Sequence, residues 1–227
     1  MKSIQDIAHV RYINLEHRTD RKEQVQNELR RIGWLEKSKR YNAVRLKDGR
    51  AGCTVSHLRC LEEAREAKLS HLVIVEDDIQ FLNPALFTEQ LDKFLSSGVD
   101  WDVILLAGNN LPPYVRVSDA AVKVTQCQTT TGYIVNERYY DKLIDNIYNG
   151  MKHLLIEPTK HFHYAIDKYW FNLQRTDRWF LITPLSVVQR EGFSDIEQKN
   201  TNYVRAFIDL DKEELMRRAM TRRQQDS

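Results

Sequence analysis

The stretch Leu72-Val73-Ile74-Val75-Glu76-Asp77-Asp78-Ile79-Gln80-Phe81 decides the fold, because an unbroken apolar run meets three consecutive carboxylates in it. Leucine and β-branched residues in a row predict a short strand buried on both faces, as in the middle of a mainly parallel sheet. In open α/β sheets, ligands bind beyond the carboxyl ends of such strands, so the three acids are expected in a binding crevice. Their mutual repulsion favours a divalent cation such as Mg²⁺ or Mn²⁺. The alternative is a solvated acidic turn leading into a helix that Asn83 and Pro84 begin.

The composition indicates a globular protein with no need of disulfides. The chain has 227 residues, of which 42% are hydrophobic, and that is enough to bury a full core. We expect one domain, residues 1–227, in which residues 209–227 form a charged helix or tail. The net charge of +2 provides no global field that would favour nucleic acid as a partner.

The cysteine content and the N-terminal sequence indicate in which cellular compartment the protein is expected. Cys53, Cys60 and Cys127 form no C-x-x-C pair, and this sparse, odd set is typical of a reducing environment. No apolar export segment is recognisable near the N-terminus, and no stretch approaches the roughly eighteen apolar residues of a membrane-spanning helix. The sequence therefore predicts a cytoplasmic protein, with contact to a membrane surface through its basic C-terminal stretch.

A strand-loop-helix unit is predicted at the start of the chain. The segment from His9 to Leu15 predicts the first strand, and a capping-box-like start at Asp20 predicts a helix that Gly33 ends. The loop between them holds Arg18 and Arg21, where guanidinium and backbone N–H groups favour a phosphate. The alternative is that both arginines pair with neighbouring carboxylates at the surface.

A short motif follows the predicted second strand, residues 41–46. Gly52-Cys53-Thr54-Val55-Ser56-His57 opens a helix for which Thr54 or Ser56 is the expected N-cap. Cys53, His57 and Cys60 match no common zinc-finger spacing, so ordinary buried thiols are the favoured interpretation.

The later half of the chain offers another carboxylate. Residues 161–170 predict a helix with an aromatic stripe, and Asp167 lies beside that stripe. There it reaches a pocket, or it belongs to an ordinary surface ion pair. His161 and His163 can serve as metal ligands or bases, because neutral imidazole suits both roles.

Together these motifs resemble glycosyltransferase family 25, which includes bacterial lipopolysaccharide and lipooligosaccharide galactosyltransferases and procollagen galactosyltransferases. The resemblance runs in order from about Val10 to Ile196. It is carried by the following elements: Tyr12-Ile13-Asn14-Leu15 with Arg18 and Arg21, Gly52-Cys53-x-x-Ser56-His57, Glu76-Asp77-Asp78, Gly132-Tyr133-Ile134, and Ser194-Asp195-Ile196.

The resemblance implies an α/β, GT-A-like nucleotide-binding sandwich with a mainly parallel central sheet. It implies a UDP-sugar donor, usually Mn²⁺ (or Mg²⁺), and an inverted product. By that analogy Asp78 would bind the metal, with Glu76 or Asp77 at the donor ribose or in the metal shell. Independently of the resemblance, the imidazole of His163 is a candidate third metal ligand. The residues expected to line the nucleotide are Asn14, Leu15, Arg18, Arg21 and Ser56.

The chemical step requires a base on the face opposite the departing UDP, because an acceptor hydroxyl displaces it directly. The acidic triplet is expected on the donor side, so the base should come from the later half of the chain. Asp167 is the first choice and Asp195 the second.

The predicted function is therefore a metal-dependent inverting glycosyltransferase of lipopolysaccharide or other glycan biosynthesis. It would move a hexose, with galactose or glucose favoured, from a UDP-sugar to a glycan, glycolipid or protein-linked hydroxyl. A lysyl-collagen acceptor is disfavoured, because no signal peptide or ER-retention tail is recognisable. The alternatives are a catalytically inactive glycan-binding relative and a receiver-like signalling domain, which would carry its acidic pair after the first strand.

Overall fold

The computed structural model describes residues 1–213 and residue 217. The α-helices within these residues are α1 (Thr19–Arg31), α2 (Gly49–Glu66), α3 (Pro84–Ser96), α4 (Tyr140–Ile156), α5 (His161–Tyr164), α6 (Ile166–Tyr169), α7 (Phe171–Thr176) and α8 (Val204–Ile208). Short 3₁₀ helices cover Ile4–Asp6, Leu35–Lys37, Glu137–Tyr139 and Pro158–Lys160. None of the described helices is both long enough and apolar enough to span a bilayer.

The strands are short, and most of them belong to one central sheet. They are β1 (Val10–Asn14), β2 (Ser38–Asn42), β3 (His71–Glu76), β4 (Ile79–Phe81), β5 (Val103–Leu105), β6 (Asn109–Asn110), β7 (Val115–Arg116), β8 (Ala121–Lys123), β9 (Cys127–Gln128), β10 (Gly132–Asn136), β11 (Trp179–Ile182), β12 (Val187–Gln189), β13 (Gly192–Ser194) and β14 (Lys199–Thr201). Outside the central sheet, β12 pairs with β4, β13 with β14, and β6 with β9.

The central sheet of the described chain has eight strands in the order β2-β1-β3-β10-β5-β11-β8-β7. β1 is parallel to β2 and β3, and β5 is parallel to β11. β10 lies antiparallel between β3 and β5, and β8 lies antiparallel between β11 and β7. Six of the eight strands therefore point in one direction, with β10 and β8 opposed to them. The predicted α/β class with a mainly parallel sheet is confirmed.

β3 lies inside this sheet and is buried on both faces, as its apolar run predicts. Leu72 and Ile74 belong to one apolar core, and Val73 and Val75 belong to the other, because consecutive side chains of a strand point to opposite faces. The strand ends at Glu76, so the acids lie at the edge of both cores. The predicted start of the next helix is also confirmed, since Asn83 caps α3 and Pro84 is its first residue.

Some predicted boundaries are wrong. The second strand is Ser38–Asn42 rather than residues 41–46, and as an edge strand it is only partly buried and has a weak apolar pattern. α1 begins after Arg18, without a side-chain capping bond. α2 begins more than one turn earlier than expected and is capped by Asp48, so Ser56 lies inside the helix. The predicted helix within residues 209–227 lies mostly outside the described residues.

Candidate active site

Two clefts meet at the carboxyl end of β3. The first has a volume of about 600 Å³, and the second has a volume of about 410 Å³. Five residues contribute to the walls of both clefts: Cys53, Glu76, Gln189, Ser194 and Ile196. The acidic triplet thus lies at the junction of two binding spaces rather than on an open surface, and the alternative of a solvated turn is excluded.

The three acids do not act as one cluster, because Glu76 turns away from the other two. Its Oε1 accepts hydrogen bonds from the Thr130 hydroxyl at 2.8 Å and the Cys53 thiol at 3.5 Å, and it lies 3.2 Å from His57 Nε2. Burial by itself would raise the pKa of Glu76, but the hydrogen bonds and charge of His57, together with Thr130, lower it. Glu76 is therefore held as a carboxylate facing both clefts.

Behind Glu76 lies a fully buried polar chain that the sequence reasoning did not find. His57 Nδ1 lies 2.9 Å from the Tyr133 hydroxyl, and the two rings stack with centroids 5.6 Å apart. Both ring nitrogens of His57 are thus engaged, which fixes its orientation and that of Glu76. His57 lies on α2 and Tyr133 lies on β10, 76 positions later in the chain. No local sequence pattern predicts a contact between residues so far apart.

The group Cys53, His57 and Glu76 also has the composition of a metal site. One ligand atom from each residue lies within 4.8 Å of the others. Burial and the nearby Glu76 raise the pKa of the Cys53 thiol well above its usual value. The thiol therefore stays protonated as a hydrogen-bond donor, and the geometry is that of a hydrogen-bond network. Cys60, which the sequence analysis considered with Cys53 and His57, does not belong to this group.

Asp77 is fixed by partners from the first strand-loop-helix unit. Its Oδ2 accepts a hydrogen bond from Asn14 Nδ2 at 2.7 Å, and its Oδ1 accepts one from Arg21 at 3.0 Å. Burial nevertheless keeps the pKa of Asp77 above its usual value. Asn14 and Arg21 therefore both line the first cleft, but each is turned towards the acid.

Asp78 is the acid whose bonding is incomplete. Its Oδ2 accepts hydrogen bonds from Gln189 Nε2 at 3.0 Å and from Arg21 at 3.4 Å. Its Oδ1 is buried and lacks a hydrogen-bond partner among the described residues. Burial and the negative charge of Glu76 raise the pKa of Asp78 to about 7. A buried, unsatisfied carboxylate oxygen of this kind fits a hard divalent cation, which would replace the proton.

Arg18 is not in the first cleft, although it was expected to line the nucleotide. Its guanidinium donates to both carboxylate oxygens of Asp20 at 3.0 Å and forms a short ion pair with Asp195. The surface-pair alternative describes Arg18 in this structure. Asp195, the second choice for the base, lines the first cleft and has its charge offset by Arg18.

Leu15 and Ser56 both border the first cleft. The Ser56 hydroxyl is already occupied, since it donates to Gly52 O at 2.7 Å and accepts from the Val44 N–H at 2.9 Å. Ser56 therefore contributes to the shape of the cleft indirectly, because its hydrogen bonds hold the loop after β2 against α2. This loop approaches so closely that a Cβ on Gly52 would lie 2.5 Å from Val44 O.

That loop supplies two cations that the sequence reasoning missed. Arg45 and Lys47 line the first cleft, and within the described part of the chain neither side chain forms a salt bridge or a hydrogen bond. Arg21, Arg18 and Arg40, by contrast, are all committed to side-chain or backbone acceptors. The signal in the sequence was the basic run at residues 45–50, which is equally typical of an ordinary turn.

The second cleft contains Asp167, the first choice for the base. Its Oδ2 accepts a hydrogen bond from the Thr129 N–H at 3.1 Å and lies 3.9 Å from Lys168 Nζ. Burial raises the pKa of Asp167, only partly offset by the Lys168 charge. Thr129 has a φ of 83°, a costly left-handed conformation for a β-branched residue. This segment is thus held in place to present a carboxylate with elevated proton affinity.

His163 is the predicted metal ligand that the structure does not bring to the acids. It is exposed on α5, where its ring lies 4.4 Å from that of Phe162, and it lines neither cleft. The physical reason is the turn between α4 and α6, which directs His161 and Phe162 to the second cleft and His163 outward.

The model of glycosyltransferase family 25, described as LPS biosynthesis protein, matches residues 33–168. A match over more than half of the chain defines this protein as a glycosyltransferase. The chain belongs to glycosyltransferase family 25. The matched residues contain α2, the acidic triplet and Asp167, whereas β1 and the segment around Asp195 lie outside them.

No curated relative matches the sequence at a significant level. Solved structures with a similar arrangement include A197 from STIV, with 13% identity and a TM-score of 0.46 over 86% of this chain and 93% of that chain. They also include a mannose-1-phosphate geranyltransferase from Thermus thermophilus, with 9% identity and a TM-score of 0.44 over 80% of this chain and 74% of that chain. A glycosyltransferase involved in the glycosylation of the major capsid of PBCV-1 matches with 8% identity and a TM-score of 0.42 over 78% of this chain and 93% of that chain. Likenesses this distant carry no argument about function. The family and the sheet order agree with the GT-A-like α/β class expected from the sequence.

Proposed function

We propose that this glycosyltransferase is a metal-dependent, inverting enzyme that moves a hexose, with galactose or glucose favoured, from a UDP-sugar to an acceptor hydroxyl. The observation that carries the proposal is the junction of two clefts at the acidic triplet, where Glu76 faces both and Asp78 keeps a buried oxygen without a partner among the described residues. A reaction between two substrates needs two such adjoining spaces.

The first cleft suits the donor. Asn14 and Leu15 lie at the end of β1, where a nucleotide binds in α/β sheets. Arg45 and Lys47 line the same cleft and are available for the diphosphate.

The acids of the first cleft suit a divalent cation. Asp78, with Asp77 beside it, would hold that cation. When bound, it neutralises negative charge on the departing diphosphate. Arg21 offsets the charge of Asp77 and Asp78 and keeps both carboxylates in position.

The second cleft suits the acceptor. In this proposal Asp167 accepts the proton of the attacking hydroxyl as the new glycosidic bond forms, and its raised pKa favours proton uptake. The Thr129 N–H fixes one oxygen and leaves the other for the acceptor. Phe162 offers an exposed ring for sugar stacking. Attack from the face opposite the diphosphate would give a β-linked product from an α-linked donor.

The test is a UDP-release screen with UDP-galactose, UDP-glucose and UDP-N-acetylglucosamine in Mn²⁺, with and without a chelator. We expect one hexose donor to be turned over and chelation to stop the reaction. Asp78→Asn should lose the metal response, whereas Asp119→Asn, an exposed carboxylate outside both clefts, should retain it. Near-native release by Asp78→Asn in Mn²⁺ would remove Asp78 from the metal site, and glycan binding without turnover of any donor would indicate an inactive relative.

A further inference from the structure

A row of hydrogen-bonded side chains ends at the acidic triplet, and the proposed function gives it no role. It runs from Tyr133 on β10 through His57 on α2 to Glu76 at the end of β3, and we call these three residues the His57 network. Tyr133 and His57 are fully buried, whereas the Glu76 side chain is 22% exposed and lines both clefts. The network therefore connects the core to the place where the two clefts meet.

The sheet explains why these three side chains meet. Glu76 follows Ile74 by two positions on β3, so both side chains point to the same face of the sheet. Tyr133 is the β10 residue paired with Ile74, and residues opposite each other on paired strands share a face. α2 packs on this face, since Leu61 belongs to the same apolar core as Ile74 and Tyr133. His57 is thereby placed between the Tyr133 hydroxyl and the Glu76 carboxylate.

The hydrogen bonds of the network fix one oxygen of Glu76. A carboxylate can only accept, so His57 Nε2 donates to Glu76 Oε1. The Tyr133 hydroxyl satisfies His57 Nδ1, because a hydroxyl both donates and accepts. Thr130 and Cys53 also donate to Oε1. Within the described part of the chain, every hydrogen bond that the Glu76 side chain accepts falls on Oε1, so Oε2 is available to a ligand in the clefts.

Stability alone does not explain the His57 network. Burying polar side chains costs free energy that their hydrogen bonds offset. Replacing both partners of a buried hydrogen bond by apolar groups of the same shape is often nearly neutral. What the network adds is a fixed orientation of one partly exposed carboxylate.

The position of Glu76 indicates what this carboxylate contacts, and this step rests on the proposed function. In the transfer, the bond from the anomeric carbon to the UDP oxygen breaks as the bond to the acceptor oxygen forms, and Asp167 takes the acceptor proton. With UDP in the first cleft and the acceptor in the second, the hexose lies where the clefts meet. Glu76 is the one carboxylate among the five described residues that line both clefts. Sugar hydroxyls donate to such a group.

We propose that His57 is a positioning residue for sugar transfer, which holds the Glu76 carboxylate against hydroxyl groups of the hexose that is transferred. Glu76 thus has a different task from Asp77 and Asp78, which face Arg21 and the proposed cation site. A carboxylate that is fixed before the sugar binds loses less conformational freedom on binding. It also discriminates between sugars by the hydroxyls that reach it.

The experiment is a double-mutant cycle on the full chain, in which calorimetry measures the affinities for UDP, UDP-galactose and UDP-glucose in Mn²⁺. His57→Phe keeps an aromatic ring and removes both nitrogens. It should bind the preferred UDP-hexose about tenfold or more weakly and bind UDP like the wild type. His57→Gln, which retains an N–H donor and an acceptor, should recover part of the loss. Because His57 acts through Glu76, His57→Phe/Glu76→Ala should bind the UDP-hexose no more weakly than Glu76→Ala does.

Two further variants separate positioning from folding. Cys60→Ala changes another buried residue of α2, one turn after His57, that lines neither cleft, and it should keep both affinities. Tyr133→Phe removes only the hydroxyl that satisfies His57 Nδ1. It should reproduce the selective loss of UDP-hexose affinity at a several-fold level, and it serves as the test if His57→Phe does not fold. Urea midpoints measure the folding of each variant.

The outcomes separate this inference from the proposed function. Unchanged UDP-hexose affinity in Glu76→Ala would overturn the contact with the hexose. Equal losses for UDP and UDP-hexose in His57→Phe, or the same loss in Cys60→Ala, would show a structural role only and overturn the positioning. Losses that add in the double variant would do the same. Absence of sugar transfer from any donor, with the selective and non-additive losses intact, would refute the proposed function and leave the positioning of Glu76 against the hexose standing.

Discussion

The donor diphosphate should be bound by Arg45 and Lys47 and not by Arg18. Replacing both Arg45 and Lys47 with alanine removes two cleft cations that have no counter-charge among the described residues. Charge-assisted hydrogen bonds contribute about 1.5–3 kcal/mol when shielded from water, and both side chains are exposed. We therefore take about 1 kcal/mol for each. The sum of about 2 kcal/mol corresponds to about thirtyfold weaker UDP binding.

Calorimetric titration of UDP in Mn²⁺ measures this loss, and a salt series should reduce the difference as the charges are screened. The matched control is Arg18→Ala/Asp195→Ala, which removes an ion pair and leaves the net charge of the chain unchanged. Arg18 is already paired with Asp20 and Asp195 and does not line the cleft, so the UDP affinity of this control should stay within a few-fold of the wild type. A thirtyfold loss in the control, with full affinity in Arg45→Ala/Lys47→Ala, would refute the reasoning.

Three further predictions concern the chemical step, the pH dependence and the loop packing. Asp167→Asn should bind UDP and Mn²⁺ normally and transfer sugar at least about a hundredfold more slowly; an unchanged rate, or an α linkage in the proton NMR spectrum of the wild-type product, would contradict its role. Burial and the charge of His9 lower the pKa of His71 to about 4. As the pH falls, the unfolded chain therefore binds a proton at this histidine before the folded chain does. The free energy of unfolding should fall by up to about 3 kcal/mol between pH 6.5 and 4. Urea midpoints across that range should flatten in His71→Gln, and an identical slope would exclude His71 as the cause. Gly52→Ala should lower the free energy of unfolding by about 1–3 kcal/mol, because the added Cβ would clash with the loop backbone. The control is Gly192→Ala, whose Cβ has nothing within 4 Å and should not clash. Equal urea midpoints for the two variants would refute the contact.

The acidic triplet shows what a local sequence pattern can predict and what it cannot: it predicts where the three acids lie, but not which partners they bind. The sequence placed all three acids at a strand end, and the structure has them there. It treated them as one donor-side group, yet Glu76 bonds to α2 while Asp77 and Asp78 bond to Arg21. A signal for this division existed, because successive residues along a strand alternate between its faces. What each face meets depends on the strand order, which no local pattern contains.

The arginines of the first loop show the same limit. Arg18 and Arg21 differ by three positions and have the same chemistry, so the sequence could not assign them different partners. Asp195, which holds Arg18, is 177 positions away, and the contact exists only because β13 and β14 fold back over the first cleft.

What the sequence by itself determined is local and hydrophobic. A run of four apolar residues specifies a strand buried on both faces, Asn83 and Pro84 specify a helix start, and a carboxylate after such a strand must lie at the edge of the core. The tertiary structure alone decided which polar groups meet there: Gln189 at Asp78, Thr130 at Glu76 and the Thr129 N–H at Asp167. The reason is physical. Burial of apolar side chains follows from their spacing along the chain, whereas a hydrogen bond requires two particular atoms within about 3 Å, and for distant residues only the assembled sheet sets that distance.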